Sequence, residues 1–201
     1  MPDPPSARGT PSPAISAPEI VAFKSALACN PDDGDAQVLL ASSLLATGEP
    51  RQARWWLEKT LELDRPAAHE GLVRGTYADV LLELGRAEDA VEQSQRAIDL
   101  MGKNVPPDVL GQAHRRSGDA LARAGRLDDA VQAYQAAIDC AGPDVVVCNA
   151  LGLTQLALGR AEAALDTFRT AIGLASDSPD SPSTSPAFSA HCATPTPRST
   201  S

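Results

Sequence analysis

One glycine recurs through the middle of this chain, each time with the same kind of neighbours. Aligned on it, four segments read LLATGEPRQARWWLEKTLEL, LLELGRAEDAVEQSQRAIDL, ALARAGRLDDAVQAYQAAIDC and LALGRAEAALDTFRTAIGL. The glycines are Gly48, Gly85, Gly125 and Gly159, spaced by 37, 40 and 34 residues. Each follows an apolar-periodic stretch and precedes residues suited to start a helix, so the spacing predicts two helices joined by a glycine turn, repeated along the chain. A left-handed backbone at the end of the first helix satisfies its loose carbonyls, and a β-carbon there costs about 1–2 kcal/mol. Past the turn come Glu88 and Asp89, Asp128 and Asp129, and Glu162, carboxylates that face the positive end of a helix dipole. Pro50 stands there in the first segment, where a first helical turn tolerates it.

The residues around each glycine define faces. Five beyond it lie Ala53, Ala90, Ala130 and Ala164; nine beyond lie Leu57, Ser94, Tyr134 and Phe168; thirteen beyond lie Leu61, Ile98, Ile138 and Ile172. These fall on one side of a helix. Ser94 is the polar member, so the second repeat is expected to pack less tightly. On the preceding helix, four before the glycine come Leu44, Leu81, Leu121 and Gln155, and seven before come Ala41, Ala78, Gly118 and Gly152. Small and bulky residues thus alternate on both helices, and stacked pairs share a continuous core. Upstream, Pro18–Asn30 reads as a lone leading helix, with Ser16 and Glu19 as a capping box and Pro31 closing it. The expectation is nine helices. The long spacings put extra residues between repeats, around Pro66–Ala68 and Val105–Pro107.

Composition sets the limits. Aromatic residues are 3% of the chain, too few for a β-sandwich. From 18 to 176 there are 23 acidic against 15 basic residues, a charge of −8 that disfavours nucleic acid. No run approaches a membrane span and no secretory core is present near the start, so the expected location is the cytoplasm. Four scattered cysteines agree with a reducing compartment. The division expected is a disordered segment over 1–17, a helical repeat domain over 18–176 and a disordered Ser/Thr/Pro-rich tail over 177–201. That tail carries five prolines and eleven Ser or Thr.

Over residues 34–174 the turn glycine, the alanine five later and the knob spacing resemble tetratricopeptide repeats. The likeness departs from that family eleven before the glycine, where a tryptophan is common and this chain has Gln37, Arg74, His114 and Cys148. The resemblance implies an all-α, right-handed solenoid of antiparallel helix hairpins whose first helices line a concave surface that holds a partner peptide or helix. The inward positions carried over include Val38, Ser42 and Leu45, then Asp79 and Leu82, then Arg115 and Asp119, then Asn149 and Leu153. This groove is expected to be apolar at both ends and charged in its middle. Two readings of the charges stay open: Arg115, Arg116 and Arg123 take an acidic peptide and Asp79, Glu83 and Asp119 a basic one, or the charges neutralise each other. The clamp of chaperone-binding relatives is absent, since Val38, Ser42 and Thr76 hold its positions. Leu39, Thr76, Arg116 and Ala150 likewise replace the asparagine ladder of protein-glycosylating relatives.

No residue pattern argues for catalysis, a metal or a cofactor. There is no GxSxG, HExxH or phosphate-binding glycine loop, and no carboxylate pair stands out as shifted in acidity. Cys29 and Cys140 share the slot of Leu63, Leu100 and Leu174 and read as buried small hydrophobes. His114 reads as a half-exposed structural residue. Trp55 and Trp56 are adjacent and cannot both face the core. One is therefore either an exposed anchor beside Arg51 and Arg54 or packing near Pro66. The expected function is a protein-binding adaptor. Two alternatives stay open, a regulatory repeat segment of a larger or truncated enzyme and self-association through an uncapped last helix, Ala161–Leu174.

Overall fold

The structure, a computed structural model, describes residues 17–63, 66–102 and 105–176. The expectations for residues 1–16, for Cys192 and for the 177–201 tail lie outside the described residues, as does the Ser16 half of the capping box. Among the described residues there are nine helices and no strand: α1 (Ala17–Cys29), α2 (Gly34–Ala46), α3 (Pro50–Leu61), α4 (Ala67–Glu83), α5 (Ala87–Met101), α6 (Pro107–Arg123), α7 (Leu127–Ala141), α8 (Val145–Ala157) and α9 (Ala161–Ser176). Each helix packs on the next, and α2, α4, α6 and α8 also touch one another in succession. That is an all-α solenoid, a leading helix followed by four hairpins.

The turn glycines behave as their spacing predicts. Gly48, Gly85, Gly125 and Gly159 have φ of 81°, 74°, 79° and 75°. The residue after each donates its N–H to a carbonyl in the last turn of the first helix, Glu49 to Leu44, Arg86 to Leu81, Arg126 to Leu121 and Arg160 to Gln155, at 2.8–2.9 Å. These bonds close the first helix by the Schellman pattern, which requires the left-handed residue between. An added β-carbon meets nothing within 4 Å at any of the four. Their constraint is therefore the backbone angle and not space.

The extra residues of the long repeats are not confined to linkers. Helices α4 and α6 have 17 residues each against 13 in α2 and α8, so they gain about one turn. Gly71 and Gly111 directly follow that added turn. A β-carbon on Gly71 would approach Met101 Cγ to 2.8 Å, and one on Gly111 would approach Ala141 Cβ to 2.6 Å. The glycines let the longer helix lie against the end of its partner.

In the last two hairpins a small residue faces a large one. A β-carbon at Gly118 would lie 2.6 Å from the Tyr134 ring, and one at Gly152 would lie 2.7 Å from the Phe168 ring. Ala41 and Leu57 belong to one buried cluster, and Ala78 and Ser94 are likewise buried. The polar Ser94 is satisfied in place, its hydroxyl donating to Val91 O at 2.9 Å. The buried clusters run from Leu27, Leu40, Leu57 and Val80, through Leu81 and Ala90, to Tyr134, Val147 and Leu151, so one core extends along the array.

Some positions differ from expectation. Ile172 is 66% exposed, whereas its counterparts Leu61, Ile98 and Ile138 are half-buried. Those three lie beside the next first helix, and no described helix follows α9. Cys29 is exposed and Cys140 half-buried, while Cys148 is the buried cysteine. Cys29 ends α1 and no core reaches it, which overturns its reading as a buried hydrophobe. Gln37 is fully buried. Its amide donates to Pro31 O at 2.7 Å and accepts from Thr60 Oγ1 at 2.8 Å, so both the nitrogen and the oxygen of this buried side chain have a partner. Among the described residues no helix is long and apolar enough to cross a membrane.

Candidate partner-binding groove

The first helices bring part of the predicted groove together. Leu45 of α2, Asp79 and Leu82 of α4, and Arg115 and Asp119 of α6 line one open cleft of about 610 Å³. Glu83, Ala122, Arg123 and Tyr134 complete its wall. Val38 and Ser42 are half-buried beside it, and Asn149 and Leu153 are exposed on α8; none of these four lines the cleft. Tyr134 was not legible as a groove residue. Its ring is a hairpin knob, and only the packing on Gly118 carries its hydroxyl through to the concave side.

Charge in the middle of the cleft is matched internally. Arg116 Nε donates to Asp79 Oδ2 at 2.9 Å, joining α6 to α4. Gly75 makes room for this, since a β-carbon there would meet Arg116 Nη1 at 3.3 Å. Arg115 Nη1 donates to Asp119 Oδ2 at 2.6 Å, and Tyr134 donates its hydroxyl to Asp119 Oδ1 at 2.8 Å. Arg123 Nη2 reaches the Leu82 carbonyl at 3.3 Å. Of the two readings of the charges, mutual neutralisation is the one this geometry supports for Asp79, Asp119, Arg115 and Arg116. Glu83 has no ion pair among the described residues and lies exposed at the rim, as does Arg123.

The acidities of these groups are shifted, against the sequence expectation. Burial raises Asp79 above the usual carboxylate range, although Arg116 and Arg115 pull it down. Burial likewise raises Asp119 against the Tyr134 hydrogen bond and the two arginines. Tyr134 is held protonated by burial and by the adjacent Asp119 carboxylate. Sequence alone cannot give such shifts, because they arise from desolvation that exists only once α4, α6 and α7 are stacked. His114 is half-buried, and burial pushes its imidazole toward the neutral form. Among the described residues no three His, Cys, Asp or Glu side chains cluster as metal ligands.

The two tryptophans divide as adjacency on a helix requires. Trp56 packs against the first core cluster, while Trp55 is 55% exposed. Their rings meet edge to face with centroids 4.7 Å apart.

Glycine-turned hairpins stacked on a shared core, with first helices lining an open cleft, define a helical-repeat binding scaffold. The chain belongs to the tetratricopeptide-repeat family: profiles of the tetratricopeptide repeat match residues 14–100, 76–145 and 145–178. Solved structures with the same fold include TTC0263, a thermophilic TPR protein of Thermus thermophilus, at 20% identity and TM-score 0.67, covering 79% of this chain and 82% of that one. MamA from Desulfovibrio magneticus RS-1 aligns at 18% identity and TM-score 0.62, covering 78% and 83%. YrrB, a TPR protein with an unusual peptide-binding site, aligns at 21% identity and TM-score 0.59, covering 79% and 77%. No curated protein sequence matches the chain. Proteins of this family are protein-interaction scaffolds, and this chain carries that scaffold.

Proposed function

We propose that the chain is a non-catalytic adaptor whose concave cleft holds an extended segment or a helix of a partner protein. The observation that carries this reading is the open cleft of about 610 Å³ shared by three successive first helices and floored by ion pairs already made. Pre-formed pairs keep the floor polar yet nearly neutral, so a partner is recognised by shape and hydrogen bonds more than by net charge. Asp79 and Asp119 retain acceptor capacity, and Glu83 and Arg123 stand at the rim for complementary groups. Affinity capture from the native host, comparing the chain with an Arg115→Glu plus Asp119→Arg variant, tests it. The exchange keeps the local charge sum but moves both groups and breaks the Tyr134 contact. Loss of the partner is the expected result, and undiminished recovery rules out the concave site.

A second reading has its own observation. Leu165 on α9 is 51% exposed and Ile172 is 66% exposed, whereas their counterparts Val131 and Ile138 on α7 are half-buried beside α8. This supports self-association through the outer face of α9, which would give those side chains the cover that the earlier repeats have.

A further inference from the structure

Seven residues beyond the turn glycines the second helices read Trp55, Glu92, Gln132 and Asp166, all exposed. Three repeats fold with a polar residue at this position, so hairpin packing does not call for an indole there. Trp55 is nonetheless held in place. Trp56 meets it edge to face, and Lys59 Nζ lies 5.7 Å from the Trp55 centroid and 5.8 Å from that of Trp56. An aromatic ring fixed in this way loses little freedom when something packs on it.

Trp55 forms one wall of a cleft of about 430 Å³ with Arg51, Arg54, Glu58, Leu84 and Arg86. Leu84 and Arg86 flank Gly85, so the cleft bridges α3 of the first hairpin and the turn of the second. It shares no lining residue with the concave groove. Its charges are unequal, three arginines against one glutamate. That glutamate is committed within the chain, accepting from Arg54 Nε at 2.7 Å and from the Tyr77 hydroxyl at 2.8 Å. Arg86 pairs with Asp89 at 2.6 Å on a side chain still 43% exposed. Arg51 has no ion pair among the described residues. On a chain of formal charge −9, this is a local excess of cation around an exposed ring.

We propose that this cleft is a second protein-docking site, taking an acidic segment of a partner that lays an aromatic or large apolar side chain on Trp55. Carboxylates on either side of that residue reach Arg51 and Arg86, whose planar donors suit them. Tryptophan and arginine are both enriched among the residues that anchor an interface. The acidic remainder of the surface disfavours a polynucleotide in the same place.

Calorimetry on the full chain tests this with two synthetic peptides, Asp-Glu-Phe-Glu-Asp and Lys-Lys-Phe-Lys-Lys, and with oligothymidylate. The acidic peptide is expected to bind at least about tenfold more tightly than the basic one, and Trp55→Gln and Arg51→Glu each to weaken it by about tenfold. Glutamine is what the third repeat has at this position, so the first variant keeps its helix, and circular dichroism checks that it does. The charge change on Arg51 tests the same site if it does not. The groove variant Arg115→Glu plus Asp119→Arg is expected to bind the acidic peptide unchanged, which separates this site from the groove reading. Equal binding of both peptides, undiminished binding by Trp55→Gln or Arg51→Glu, loss of binding by the groove variant, or tighter binding of oligothymidylate overturns the proposal.

Discussion

In the last two hairpins, volume missing from one helix is returned by the other: Gly118 receives the ring of Tyr134 and Gly152 receives that of Phe168. Gly118 therefore has a steric role quite apart from the turn glycines. Gly118→Ala would drive a methyl to 2.6 Å from a ring that is itself tied to Asp119. The expected loss is about 1–3 kcal/mol of folding stability by denaturant unfolding, despite alanine's better helix propensity. A stability gain would mean that the ring moves freely. The two columns of small and large residues were legible in the sequence, but their pairing was not, because it depends on how deeply one helix sinks into the next. The same holds for Gln37, whose polarity suggested nothing about a fully buried site bonded to Thr60 and Pro31.

Helices in this array do not all start in the same way. Among the first helices, Asp33 accepts from Ala36 N–H at the start of α2, and Asp144 accepts from Val146 and Val147 N–H at the start of α8. Second helices α5 and α7 instead begin at Arg86 and Arg126, which have no side-chain cap but pair with Asp89 and Asp129 one turn on. Asp89 and Asp129, two of the first-turn carboxylates predicted from the dipole, thus have a second job, holding the arginine that follows the turn glycine. Asp144→Ala removes a side-chain cap that serves two backbone donors, and about 1 kcal/mol of stability is expected to go with it. Hydrogen exchange should show the loss concentrated in the first turn of α8. Uniform change across all helices would instead mean that α8 and its neighbours open as one unit.

At the scale of the whole array, repetition itself exposes what is unusual. Val131 and Ile138 lie half-buried because α8 follows α7, and Leu165 and Ile172 lie open because no described helix follows α9. If that face joins two copies, sedimentation velocity should show mass rising with concentration, more so in salt that screens the net negative charge. A Leu165→Lys plus Ile172→Lys variant should then stay monomeric. A wild-type chain of constant mass would remove the self-association reading. The number of helices, the position of every hairpin turn and the apolar faces were all settled by local rules, since a turn glycine and a period near 3.6 act within a few residues. Stacking decided the rest. It put one added turn into α4 and α6, paired Arg116 with Asp79 across repeats, brought Tyr134 to the groove and raised two carboxylates by removing water from them. Each of those depends on residues of different helices meeting in space, and no local pattern carries that information.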